Sequence, residues 1–132
     1  MTGRFTFRPE HRLHAGAEYD RAYRQGARAG DALFAVNVVP NAFGHARLGM
    51  SVGGKTVGNA VARNRVRRLI REVFRHRREQ LPALDFVVTS RPGARNAPRA
   101  ELVASLERLM TVAVRKASTD TARPGTPARE RS

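Results

Sequence analysis

Residues 60–80 leave little choice of structure, because they can only pair an apolar side with an arginine side on one helix. Ala62, Val66, Leu69, Ile70, Val73 and Phe74 recur with the 3.6-residue period of an amphipathic helix. Arg63, Arg67, Arg71 and Arg75 follow one another at i+4 along another face, with Arg65 and Arg68 beside them at the N-terminal end. Within residues 63–78 only Glu72 interrupts the basic run. A helix that is merely solvated usually mixes signs, so that i,i+4 neighbours attract. A single-sign face repels itself and implies a counter-charge outside the helix. Asn59 is placed to cap the first turn, and Pro82 follows the end as stop signals do.

The counter-charge is expected to be nucleic acid. The chain of 132 residues carries 25 Lys plus Arg against 11 Asp plus Glu, a net +14. Only Lys55 and Lys116 are lysines. Arginine binds phosphate with two parallel hydrogen bonds and stacks on bases, which favours nucleic acid over an anionic membrane surface or an acidic protein. Codon bias in a GC-rich genome would explain arginine over lysine, but not the excess of base over acid. Ahead of the helix, Gly53, Gly54 and Gly58 let backbone approach a phosphate, with Lys55 among them.

The remaining elements surround this helix. Ala17–Gln25 reads as a short helix with Tyr19, Ala22 and Tyr23 on one face, stopped by Gly26 as a C′ glycine. Leu33–Val39 reads as a buried strand ended by the Pro40-Asn41 turn, and Ala46–Val52 as its antiparallel hairpin partner. Asp85–Ser90 is a short buried strand, and Arg91–Ala94 a turn. A last helix is expected over 97–116, with Leu102, Leu106, Leu109, Met110 and Ala113 inward. Residues 1–10 read as irregular, 11–117 as one domain and 118–132 as a disordered basic tail. The order predicts an α/β (α+β) two-layer sandwich, a small mixed sheet covered by helices on one face. Its strand–helix–strand unit would ordinarily cross over right-handed.

Several chemistries are disfavoured. The chain has no cysteine, which removes disulfides, thiolate metal sites and a cysteine nucleophile. No apolar run approaches the roughly 20 residues of a membrane helix. Met1–Phe5 has no apolar signal region, so a cytoplasmic protein with no membrane partner is expected. His11 and His14 stand three apart without an acidic companion, and Asp20, Asp31, Glu72 and Asp85 are scattered. A metal-dependent nuclease would normally gather two or three carboxylates. Gly49–Thr56 fits the P-loop spacing, but Gly49 lies within a strand pattern, and nucleoside triphosphate binding is not expected.

Gly58–Phe74, with the triplet Arg63-Asn64-Arg65 at its centre, closely resembles the signature of the bacterial ribonuclease P protein component. Arg12-Leu13, Glu18-Tyr19, Tyr23 and Gly26 resemble that family's first helix, where Phe is common at both aromatic positions. Leu48–Val52 resembles the strand before the motif; Asp85–Val88 and Arg91–Ala94 resemble the strand and turn after it. The resemblance spans about residues 12–110. It implies a left-handed βαβ crossover against the general rule. It also implies a subunit of a tRNA 5′-maturation endoribonuclease whose chemistry, with its Mg2+, belongs to a large catalytic RNA. The protein, one per RNA, would bind that RNA and the single-stranded 5′ leader of precursor tRNA. Carried onto this chain, Arg63, Asn64, Arg65, Arg67, Arg68 and Arg71, with Lys55 and Asn59, would be the RNA-binding set. Tyr19 and Tyr23 would line the leader cleft. No residue of the chain is expected to be catalytic. The loop at 53–57 departs from the family pattern, with Gly-Gly where a Ser-Lys or Lys-Lys pair is frequent. A structural RNA-binding protein of ribosomal type and an autonomous small nuclease are the competing readings.

Overall fold

A computed structural model describes residues 11–13 and 16–121. Helix α1 spans Gly16–Gln25, strand β1 Ala27–Gly30, β2 Phe34–Pro40 and β3 Arg47–Ser51. The short helix α2, Gly54–Val57, precedes α3, Ala60–Arg77, which runs into a 3-10 turn over Arg78–Gln80. Strand β4, Leu84–Ser90, a 3-10 turn at Pro92–Arg95 and helix α4, Arg99–Thr121, follow among the described residues. The four strands form one sheet in the order β1-β2-β4-β3, with β3 and β4 parallel and the other pairs antiparallel.

The α+β expectation holds, and the differences from it have physical causes. The hairpin between residues 33–39 and 46–52 does not form: β4 inserts between β2 and β3. Strand β4 is buried on both faces over Leu84–Val88, so it needs a neighbour on each edge and cover on each side. The less apolar RLGMS run of β3 takes the edge instead. Strand β1 was not expected, because ARAG carries no apolar signal; its pairing with β2 makes it a strand. Helix α4 runs to Thr121, so the first residues assigned to the tail are helical. The expected irregular segment 1–10, His14 and the tail from 122 lie outside the described residues.

The main core lies on one face of the sheet. Phe34, Val36 and Val38 of β2 and Phe86 and Val88 of β4 meet Val66, Leu69, Ile70, Val73 and Phe74 of α3. Leu102, Leu106, Leu109, Met110 and Ala113 of α4 close it. Burial of each such side chain contributes roughly 1.5–3 kcal/mol, which lets α3 carry its crowded arginines. Helix α1 lies on the opposite face, where Ala22 packs with Leu13, Val39 and Val87, adding a small third layer. Gly26 ends α1, but not as a left-handed cap, since the described glycines at positive φ are Gly44 and Gly58. A Cβ on Gly26 would lie 2.4 Å from the carbonyl oxygens of Ala22 and Val38, so the glycine makes room for helix against strand.

Asp31 ties the β1–β2 turn to α4. Its Oδ1 accepts from the amides of Leu33 at 2.8 Å and Phe34 at 3.0 Å. Its Oδ2 accepts from Ser105 Oγ at 2.7 Å and from Arg108. Burial pushes this carboxyl upward, but the bonds from Ser105, Phe34 and Leu33, with the Arg108 charge, outweigh it and hold it below the usual range. A lowered folded-state value adds stability above the unfolded value and loses it as pH falls through the folded value. Asp31→Asn should therefore cost about 1–2 kcal/mol near neutrality. In urea melts from pH 7 to pH 2 the gap between wild type and variant should close only at the acid end. A gap independent of pH would contradict this.

Candidate nucleic-acid interface

Helix α3 begins where expected. Asn59 is extended, and its side chain accepts from the Ala62 amide at 3.0 Å, so this candidate RNA contact is also the N-cap. Asn64, Arg65 and Arg68 are exposed; Arg63, Arg67 and Arg71 are half-buried beside them. Arg65, Arg67, Arg68 and Arg71 make no ion pair among the described residues, so their charge is available to an outside anion. Arg63 instead turns back, donating from Nη1 to the Gly58 carbonyl at 3.2 Å. A Cβ on Gly54 would lie 3.0 Å from that Nη1, whereas one on Gly53 would meet nothing within 4 Å. Further along, Arg75 pairs with Glu72 at 2.6 Å, and His76 Nε2 lies 3.0 Å from the same carboxylate. Arg75 first, then His76, holds the Glu72 carboxyl below its ordinary value. Arg77 reaches the Glu107 carbonyl and Thr111 of α4. The basic face is thus most available in the first half of the helix.

The loop read as glycine-rich folds as one helical turn, α2, with Lys55 exposed. Thr56 Oγ1 donates to the Gly53 carbonyl at 3.0 Å and lies 2.7 Å from Ser90 Oγ.

Opposite the core, α1 packs on the sheet. Residues on this face run in rows across the ladder: Val39, Asp85 and Arg47; then Asn37, Val87 and Gly49; then Ala35, Thr89 and Ser51. Tyr19 lies on the middle row. A Cβ on Gly49 would come within 2.7 Å of Tyr19 Cζ, so the ring sits directly on backbone. Tyr23 is 43% exposed, and its hydroxyl is 3.3 Å from Thr89 Oγ1. Beyond it Ser51 is exposed and Thr89 half-buried. On this face Tyr19 is partly buried packing and Tyr23 an open aromatic surface. Tyr23 touches Thr89 on the α1 face, and α2, just ahead of α3, touches Ser90 on the other face, so both reach the same end of β4 from opposite sides of the sheet.

A buried ionic cluster fixes α1 over this face. Arg47 donates to both oxygens of Asp85, from Nε at 2.8 Å and Nη2 at 2.9 Å, and to Glu18 of α1 at 2.9 Å. Asn41 Nδ2 adds a 2.8 Å bond to Asp85 Oδ1, and the Arg47 guanidinium lies 4.0 Å from the Phe43 ring centroid. The bonds from Asp85, then those from Glu18, raise the Arg47 pKa against the opposing effect of burial. Sequence reasoning missed this cluster and the role of Gly49. A glycine inside a strand is itself a signal of close approach. Among the described residues no group of three or more His, Cys, Asp or Glu gathers as metal ligands, and no helix is long and apolar enough to cross a membrane.

The model of the ribonuclease P family matches residues 7–114. The chain belongs to the ribonuclease P protein family. It is 35% identical over 114 residues to the ribonuclease P protein component of Methylococcus capsulatus, covering 86% of this chain and 89% of that one. It is 46% identical over 96 residues to that of Syntrophobacter fumaroxidans, covering 71% and 80%. Among solved structures, the ribonuclease P protein of Staphylococcus aureus superposes with a TM-score of 0.74 at 34% identity, covering 78% of this chain and 94% of that one. The ribonuclease P protein of Thermotoga maritima superposes at 0.67 and 25% identity, covering 79% and 96%. The two solved structures share the fold of this chain.

Proposed function

We propose that this chain is the protein subunit of a ribonuclease P that binds its RNA subunit through α3 and the 5′ leader of precursor tRNA through the α1 cleft. The observation that carries this reading is the exposed arginine face in the first half of α3, unpaired among the described residues, with the Tyr23 surface reaching the same end of β4 from the other side of the sheet. Single-stranded RNA is commonly held by aromatic stacking beside a basic groove. The cleft offers Tyr23 and the exposed edge of Tyr19 to unpaired bases. Asn64, Arg65, Arg67, Arg68 and Arg71 offer charge to phosphates; Lys55 and Asn59 flank the entry, and Arg63 braces it. The protein then screens repulsion between two RNAs, while the RNA subunit and substrate hold the Mg2+ and carry the cleavage. One protein per RNA suffices, because the cleft and helix belong to one chain. The cytoplasm is the compartment where such a precursor would be met.

The test is the salt dependence of binding to a bacterial ribonuclease P RNA. Arg65→Ala and Arg68→Ala should each weaken binding and reduce the slope of log K against log salt by about one unit. An unchanged slope would show that these side chains do not meet phosphate.

A further inference from the structure

We propose that a pocket between α3, the turn at Pro92–Arg95 and the start of α4 receives one unpaired nucleotide of the RNA partner, base inside and phosphate at the rim. This rests on the reading of α3 as an RNA-binding helix. The cavity measures about 330 Å3, at the small end of the roughly 300–1,000 Å3 typical of ligand sites. Its inner wall is apolar, formed by Val57, Val66, Leu69 and Leu102, all buried members of the main core. Its polar rim is formed by Arg65, Arg95 and Arg99 with Asn96, and no acidic residue lines it.

That combination selects the ligand. A free phosphate would leave the apolar wall wet, and an apolar ligand would leave the like charges facing one another. A nucleotide supplies both a flat, weakly polar ring and an anion, and arginine can fork the phosphate or stack on the ring. The size admits one nucleotide and no duplex, which fits RNA recognition through bases out of a helix. The rim is continuous with the basic face, because Arg65 belongs to both. A Cβ on Gly58, just before α3, would lie 3.6 Å from Arg95 Nη2. Arg95, Asn96 and Arg99 thereby extend the interface beyond α3.

The first experiment uses the isotope-labelled wild-type protein and follows its amides by NMR. Adenosine 5′-monophosphate is titrated in one arm, with adenosine, inorganic phosphate and a Glu-rich peptide in separate arms. The nucleotide should shift the amides of Ala94, Ala97 and Leu102, with adenosine binding about tenfold more weakly. Unmoved amides, equal binding by phosphate alone, or tighter binding by the peptide would overturn the proposal. The second experiment fills the pocket with Ala97→Phe, leaving every arginine in place. With an unchanged circular dichroism spectrum, this variant should bind ribonuclease P RNA about tenfold more weakly, at the wild-type salt slope. Wild-type affinity in a folded Ala97→Phe protein would overturn the pocket alone, provided Arg65→Ala still weakens binding. Full binding by both variants would remove the reading of α3 as well.

Discussion

Replacing Arg47 by alanine should cost the fold about 3–5 kcal/mol, because the Asp85 carboxylate would stay buried without its cation. The Arg47 and Asp85 side chains are 7% and 1% exposed, so water cannot take over the lost bonds. A domain of this size is commonly stable by only about 5–15 kcal/mol, so the variant should lie near its unfolding limit. Urea denaturation at neutral pH reads the loss directly. Arg47→Met combined with Asp85→Leu should recover most of it, since a buried ion pair replaced by apolar groups of similar volume is often neutral. A loss below about 1 kcal/mol in Arg47→Ala, the scale of an exposed ion pair, would show that the cluster does not hold the layers together. The consequence reaches function through Glu18, whose bond to Arg47 joins α1 to the sheet beside the cleft.

Removing the aromatic surface should separate precursor from mature tRNA. Tyr23→Ala should weaken binding of leader-bearing substrate about tenfold or more in the assembled enzyme, since one stacked base is worth about 1–3 kcal/mol. Mature tRNA, which has no leader, should bind as before. Tyr23→Phe keeps the ring and gives up only the contact with Thr89, so it should stay close to wild type. Gly49→Ala should likewise weaken binding of the leader-bearing substrate, because the new Cβ would lie 2.7 Å from Tyr19 Cζ and displace the ring. Equal losses for both tRNAs would contradict the assignment of the cleft. They would favour a structural RNA-binding protein, which needs no leader.

What could be read from the chain alone was what local chemistry decides. The stripe of α3 and its Asn59 cap depend on neighbours within a turn, and both stand in the structure as expected. What depends on partners far along the chain was not visible. Strand β1 exists through β2, and the place of β3 is decided by β4, which comes more than 30 residues later. Arg47 and Asp85 are 38 residues apart, so no spacing marks them as a pair. The arginines could be counted, but their division between bracing and availability could not. Arg63 and Arg77 bond to neighbouring elements, whereas Arg65 and Arg68 stand out from the helix. The leader-cleft role of the tyrosines comes from family resemblance alone; the structure shows Tyr19 packed over Gly49 and the Tyr23 hydroxyl beside Thr89.

The most direct test of the central claim is cleavage of precursor tRNA at low magnesium, comparing this protein alone, a bacterial ribonuclease P RNA alone, and the two combined. The account predicts efficient removal of the 5′ leader only in the combined reaction. Cleavage by the protein alone, or no gain over the RNA when the protein is bound, would contradict it.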